Sequence, residues 1–502
     1  MNYEVLAFAL YFVMVLCIGI FFFVRTRKDG ESEKQYFLGG RQMGPWVTAL
    51  SAQASDMSAW LLMGLPGSVL AFGLGKAWIG IGLALGTALN WIFVAKRLRK
   101  FSKVSNDAIT LPEYLQNRFV AKKPVLSIIA AIVFLISFTI YVASGFVAGS
   151  TVFVSLVPGL TRETAMLIFA AVILLYTFLG GFRAVSWTDF LQGNLMFLAL
   201  LAVPIVCVLV EDLDPSAVNT VYTNLNDGTE YAFVANLFSA SWQDIVSGFA
   251  WGLGYFGMPH ILVRFMAIKK PSMIKKSATV AIIWVTISLA ASLVIAYLGR
   301  MVIAGELLPD GAQATVFIHL ARRYFPAFLS GILLAAIIAA SMSTADSQLL
   351  VASSSFTNDI YKPLIRKNAS DKELVWVARG VVALVAIIAY FLANARGSGA
   401  QAIMELVENA WGLFGAAFGP VVLLSVFWKR FNYAGAVAGV LGGAIVDILW
   451  YNLLSASTGV YELLPGFVAG FLCAVVVTLV TKAPSAEVEA IYEKATDPDY
   501  DE

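Results

Sequence analysis

Asp56 sits near the middle of a stretch, residues 45 to 71, that is otherwise apolar enough to lie in lipid. A carboxylate at that depth costs roughly 2.5 to 3.5 kcal/mol even on a lenient insertion scale, and it marks a pathway for an ion or solute, or a partner. Ser51, Gln53, Ser55 and Ser58 surround it, and Gly64, Pro66 and Gly67 follow. No lipid-facing helix carries that polar load. Asp56 can also act as a hydrogen-bonded clamp on a broken helix, and the two roles are compatible.

A second interruption reads W-G-L-G-Y-F-G-M-P-H, from Trp251 to His260. Each glycine weakens a helix by roughly 1 kcal/mol relative to alanine, and proline removes a backbone donor. Carbonyls freed at membrane depth are tolerated only beside a cavity or an ion. Farther on, A-A-S-M-S-T-A-D-S-Q (339 to 348) gathers Ser343, Thr344, Asp346 and Ser347 on about one helical turn. Hydroxyl and carbonyl oxygens suit a hard monovalent cation. Serines in membrane helices also bond their own backbone or a neighbouring helix, so it is Asp56 and the broken helix that favour cation binding here.

Aromatic residues recur at the same places: Trp60 just past Asp56, Tyr141 in a later span, and Trp251 with Tyr255 at the second break. Singly each reads as packing; together at the breaks they read as the wall of a cavity. His260 reads as a polar residue bonded within the bundle. Asp189 opens a span near the inner surface, where it either meets the positive end of a helix or serves gating and ion release. Glu405, Glu408 and Asp447 fall near outer helix ends, close to water, and no chemistry is assigned to them.

The elements that must position these residues are membrane helices. Of 502 residues 59% are hydrophobic and 13% charged, too few polar groups to cover a soluble body of this size. At about 20 apolar residues per span, thirteen stretches emerge, from 3–24 to 463–481. The first is followed, not preceded, by basic residues (Arg25, Arg27, Lys28), which predicts a retained helix with its N-terminus outside and, with thirteen spans, a cytoplasmic C-terminus. Of the 34 Lys and Arg, only Lys76, Arg162, Arg300, Arg322, Arg323 and Arg396 then fall outside, as the positive-inside rule requires. The predicted location is the plasma (inner) membrane.

The interrupted spans are the second and seventh, five apart. That spacing predicts two five-helix units related by an inverted repeat, about 45–211 and 242–428. Residues 1–481 form one transmembrane domain, and the acidic stretch 482–502 reads as a short, solvated cytoplasmic tail.

Other classes find little support. Cys17, Cys207 and Cys473 lie singly in apolar runs, so neither a disulfide framework nor a metal site is suggested. No grouping of nucleophile, base and metal suggests an enzyme. A net charge of +2 does not point to nucleic acid. A transporter body adapted to sensing would carry a soluble signalling module, for which the tail is too short. No obligatory protein partner is evident.

Six stretches carry a resemblance: FLGGRQMGPWVTALSAQASDMSAWLLMGLPG (38 to 67), FTIYVASG (138 to 145), TFLGGFRAVSWTD (177 to 189), WGLGYFGMPHILVRFMA (251 to 267), MSTADSQLL (342 to 350) and ENAWGLFGAAFGPVVL (408 to 423). The chain resembles the sodium:solute symporter family over nearly its whole length, and within it the branch that carries proline. The resemblance implies thirteen spans around a leucine-transporter-type core and no cofactor beyond Na+ as coupling ion. It implies a sodium site at the Ala54 and Met57 carbonyls and at Ala340, Ser343 and Thr344. L-Proline would contact Trp60, Tyr141, Trp251, Tyr255 and Pro259, while Asp56, Ser58, Arg41 and Asp189 would serve coupling and the transport cycle. Two residues depart from the pattern. Met258 stands where a glutamine is expected before Pro259, which bears on the solute; Asp346 replaces a serine and adds a carboxylate for a cation or proton. Pantothenate, a carboxylate or a sugar is the alternative cargo. On this reading the first break mainly serves sodium and the second the solute, with Trp60 joining them.

Overall fold

The computed structural model describes residues 3–29, 32–395 and 400–500. Arg396 lies outside them, and the side chains of Arg25, Arg27 and Lys28 are not among those described. In chain order the helices are α1 (Tyr3–Asp29), α2 (Glu33–Leu38), α3 (Pro45–Met57), α4 (Gly64–Phe72), α5 (Ala77–Leu89), α6 (Ala95–Val104), α7 (Leu111–Arg118), α8 (Val125–Leu156), α9 (Arg162–Val210), α10 (Trp242–Trp251) and α11 (Pro259–Ala267). They continue as α12 (Ile274–Val302), α13 (Ala304–Leu307), α14 (Val316–Tyr324), α15 (Ala327–Ser355), α16 (Asp371–Ala395), α17 (Ala400–Phe427), α18 (Tyr433–Leu453), α19 (Ser455–Thr458), α20 (Leu463–Val480) and α21 (Ala486–Thr496). One two-stranded hairpin, Tyr222–Thr223 with Glu230–Tyr231, lies between α9 and α10.

Ten helical stretches among the described residues are long and apolar enough to cross a membrane, so the chain is a multi-pass membrane protein. The thirteen spans expected are not reached on that measure. α3 and α4, like α10 and α11, are halves of interrupted spans and too short singly, and the part of α9 before Gly181 is not among the ten. At Gly181 (φ 60°) α9 turns, and a Cβ there would come within 2.9 Å of the Tyr36 ring. Glycine alone satisfies both the backbone angle and that approach.

Both breaks expected from sequence are present. α3 ends at Met57 because Ser58 adopts φ 49°, ψ −175°, and its hydroxyl accepts from the Trp60 amide at 3.1 Å before α4 begins. A non-glycine residue in that region costs about 1 to 3 kcal/mol and persists only where its surroundings hold it. α10 gives way to a tighter turn over Gly252–Phe256, and Pro259 then occupies the first turn of α11, where its missing N–H is harmless. α5 and α17 press closely on this segment: a Cβ on Gly252 would meet the Gly82 carbonyl at 2.4 Å, and one on Gly254 would overlap the Trp411 indole. α3 packs against α9, α11, α12 and α15, which places the first break at the centre of the bundle.

The tail departs from expectation. Residues 486–496 form α21, which packs on α6 with Val488 and Ala495 buried. Arg118 donates to the Val488 and Ser425 carbonyls, each at 3.1 Å, with its guanidinium over the Tyr492 ring. Lys429 pairs with Glu489 and Glu493. Acidic composition suggested solvation, but the apolar face of this short helix is covered by the bundle.

Candidate functional site: two interrupted helices in contact

The two breaks meet. The Tyr255 hydroxyl donates to Asp56 Oδ2 at 2.6 Å, and the Tyr141 hydroxyl donates to the Asp56 carbonyl at 3.4 Å. The Trp60 ring stacks on Trp251 with centroids 5.5 Å apart and planes inclined by 28°. The second break is held from behind, as Asn90 donates to the Tyr255 carbonyl at 2.9 Å and the Trp411 indole N–H to the Trp251 carbonyl at 2.8 Å. All of these side chains are buried. Pro259 is buried where α11 begins, and Met258 beside it is fully enclosed.

α3 and α15 meet through oxygens. Ser343 Oγ donates to the Ala54 carbonyl at 2.8 Å, Thr344 Oγ1 approaches the same carbonyl at 3.5 Å, and Ser343 also reaches the Ala340 carbonyl at 3.2 Å. Four of the five residues expected to hold sodium are therefore gathered at one point between two helices. The fifth, Met57, is buried on α3 about one turn beyond Ala54, at the break itself. The α15 hydroxyls and the α3 carbonyl they reach present the hard, uncharged oxygens a monovalent cation prefers. Asp346 is fully buried on α15, about one turn past Ser343.

Asp189 does not sit at a helix end. It lies well inside the helix that follows Gly181, beyond the first turn to which the helix dipole is confined. Its carboxylate accepts from Ser51 Oγ at 2.7 Å and from Arg264 Nη2 at 3.1 Å. Arg264 also bonds Ser347 Oγ, Ser51 Oγ at 3.2 Å and the His260 carbonyl at 2.7 Å. Both charges are buried, so one fully enclosed ion pair ties α3, α9, α11 and α15 together. Sequence reading passed over Arg264, although an arginine inside the run I-L-V-R-F-M-A needs a partner at membrane depth. The His260 ring packs edge-on against Phe138 and Tyr141.

Arg41 lies apart from this centre. It is buried with φ 55° and donates to Asp107 at 2.8 Å, to Ser102 at 3.2 Å, and to the Ala108 and Met266 carbonyls. Met43 and Lys269 exchange backbone bonds with Ala267 and Met43, respectively. Arg41 thus pins the connection into α3 to the end of α11, joining the two interrupted helices at one end of the bundle. A further correction concerns Asp447. It is not near water but 3% exposed, packed between Gly412 of α17 and Gly466 of α20.

Comparison with known proteins defines the class. The pattern of the sodium:solute symporter family matches residues 36–443. The chain is 42% identical over 98% of its length to the sodium/proline symporter of Haemophilus influenzae and 43% identical over 97% to that of Escherichia coli, covering 97% and 95% of those proteins. It is 45% identical over 94% to a high-affinity proline transporter of Bacillus subtilis, 97% of which is covered. Among solved structures, a Na+-coupled sialic acid symporter in a substrate-bound outward-open state superposes with TM-score 0.75 at 20% identity, covering 97% of this chain and 99% of that one. A transporter in complex with L-phenylalanine superposes at 0.52 and 14% identity, covering 86% and 97%. The protein belongs to the sodium:solute symporter family and has the leucine-transporter-type fold, with discontinuous helices in an inverted-repeat core. It is accordingly a transporter, not an enzyme.

Proposed function

We propose that this chain carries L-proline into the cell by sodium-coupled symport. The observation that supports this most is the agreement, at 42–45% identity over nearly the whole chain, with proteins named for sodium/proline symport and proline transport. The coupling ion binds where Ser343 and Thr344 of α15 meet the Ala54 carbonyl of α3, with the Met57 and Ala340 carbonyls completing the set. Asp56 and Ser58 shape that site from the break. The pyrrolidine ring lies against Trp60, Tyr141, Trp251 and Tyr255 beside Pro259, its carboxylate at a positive half-helix end and its ammonium near exposed carbonyls.

Sodium filling oxygens on two helices stabilises one arrangement of them and completes the neighbouring pocket, so each ligand strengthens the other by the same factor. Rocking of the core then exposes both to the other side. One sodium entering across 100 mV and a tenfold gradient supplies roughly 2.3 plus 1.4 kcal/mol, about 500-fold accumulation. Asp189, Asp346 and Arg41 serve the cycle and not solute contact. Residues 1–481 act as one transporter domain in the plasma (inner) membrane, the N-terminus outside and the tail 482–502 cytoplasmic, with the basic runs inside.

Uptake of labelled proline into proteoliposomes under an inward sodium gradient tests the reading. It fails if uptake does not exceed that of empty vesicles, or is the same with choline in place of sodium. Competition by proline analogues against pantothenate, carboxylates and sugars decides among cargoes.

A further inference from the structure

Three carboxylates sit where the mechanism above has no use for them. Glu408 of α17, Asp447 of α18 and Glu462 just before α20 lie about Tyr461: a Cβ on Gly412 would come within 3.4 Å of Asp447, Glu462 and the Tyr461 hydroxyl, and that hydroxyl donates to the Glu408 carbonyl at 2.8 Å. Asp447 and Glu462 are each 3% exposed, and Asp447 Oδ1 and Glu462 Oε1 find no hydrogen-bond partner among the described residues. Buried carboxylate oxygens without donors are costly, and the cost is met by a proton, a cation or a donor from outside the chain.

A cavity of about 200 Å³ lies beside them, lined by Trp251, Tyr461, Glu405, Glu408 and Glu462. Its one basic side chain among the described residues, Lys76, is paired with Asp244 at 2.7 Å. Acidic side chains therefore outnumber basic ones in its lining. It adjoins a wider cavity of about 500 Å³ that shares Lys76, Ile79, Glu405 and Glu408 and forms its approach. Both lie at the Lys76 end of the α5–α6 segment, opposite the basic run Lys96 to Lys103. The inner wall is Trp251, whose ring stacks on Tyr461 at 5.3 Å and also on Trp60 at 5.5 Å. One indole therefore separates the acidic chamber from the junction of the two breaks.

The geometry points to an entry site for an organic ammonium, in which Glu408 and Glu462 hold the charged nitrogen, with Asp447 enclosed behind them, and the Trp251 and Tyr461 rings flank the apolar part, before the solute passes Trp251 to the centre. Small cyclic amines are the matching class: compact, cationic at nitrogen, and able to lie on aromatic faces. A cleft of one sign walled by apolar side chains concentrates such ligands and raises their rate of capture, by about 10- to 1,000-fold in favourable cases. This rests on the solute being a zwitterion with an ammonium group.

The probe is the pyrrolidinium ion, which carries the ring and ammonium of proline without its carboxylate. Its binding to the full-length protein in sodium-free buffer is followed by tryptophan fluorescence, and proline uptake is measured alongside in proteoliposomes. Wild-type protein is expected to give a saturable signal, weakened roughly tenfold or more in Glu462→Gln and in Glu408→Gln. Both variants should raise the KM for proline uptake about three- to tenfold and still bind labelled proline at saturating sodium, which shows that they are folded. Equal pyrrolidinium affinity in wild type and both variants, or no saturable signal, overturns the entry site. Absence of sodium-dependent proline uptake by wild type instead overturns the proposed function, and the fluorescence arm still decides whether the chamber binds ammonium ions.

Discussion

The Tyr255 hydroxyl lies 2.6 Å from Asp56 Oδ2, joining the two interrupted helices through a single hydrogen bond. Asp56 is the residue expected to shape the sodium site, and Tyr255 one expected to touch the solute. The bond gives a direct route by which occupancy at one break is felt at the other. Removing either partner should weaken sodium-dependent proline binding, and the two changes should not add. A cycle of Tyr255→Phe, Asp56→Asn and the double variant should give a coupling of about 1 to 3 kcal/mol. Strict additivity in sodium and proline titrations would show that the bond does not link the sites.

The oxygens between α3 and α15 allow a sharper separation. Thr344→Ala removes a hydroxyl from the Ala54 group and leaves the aromatic wall intact. Half-maximal sodium should rise, by roughly tenfold for the loss of about 1.4 kcal/mol, while proline affinity at saturating sodium changes little. Trp251→Ala should do the reverse, since it removes the ring stacked on Trp60. Uptake measured against sodium at fixed proline, and against proline at fixed sodium, distinguishes the two; exchanged phenotypes overturn the assignment.

The buried Asp189–Arg264 pair makes a stability prediction. Taking one charge from an enclosed pair leaves the other uncompensated, at about 3 to 5 kcal/mol, whereas replacing both is far milder. Asp189→Asn should therefore lower the melting temperature in detergent markedly, and adding Arg264→Gln should restore part of the loss. A melting temperature unchanged by Asp189→Asn, or lowered further by the second change, would show that the pair does not hold these four helices together.

Much of this centre was legible in the sequence because membrane solvent makes irregularity expensive. A carboxylate, three glycines and a proline inside apolar runs could only be interruptions, and both lie where they were expected. The hydroxyl run at 343–344 was found on the same ground. What stayed hidden depends on approach between distant segments. Asp189 reads as a helix-end acid until the turn at Gly181 is seen to set the helix boundary. Asp447 looks near water by its distance along the chain, yet glycines 412 and 466 let α17 and α20 close over it. The tail is acidic in composition, but Val488 and Ala495 share a face that composition does not reveal. A count by length gives ten spans among the described residues and does not reach the thirteen expected, because the halves of the interrupted spans are too short singly.

Arg41 and Asp107 supply a prediction in pH. Asp107 lies in the connection after α6, outside the membrane helices. Burial would raise its pKa, but Lys34, Arg41 and Lys103 around it outweigh that and hold it below the ordinary carboxylate value. A depressed folded-state pKa means that the contribution is fully present above the unfolded value, about 3.9, and is lost as pH falls through the folded value. The clamp on α3 and α11 should therefore be indifferent to pH between 7 and 5 and release only below about 4. Asp107→Asn should remove that contribution at every pH. The stability difference between wild type and variant, followed by thermal unfolding in detergent from pH 7 to pH 3, should stay level down to about pH 5 and shrink below about 4. A difference that grows as pH falls would mean that Asp107 is not held as an anion by Arg41 and its neighbours.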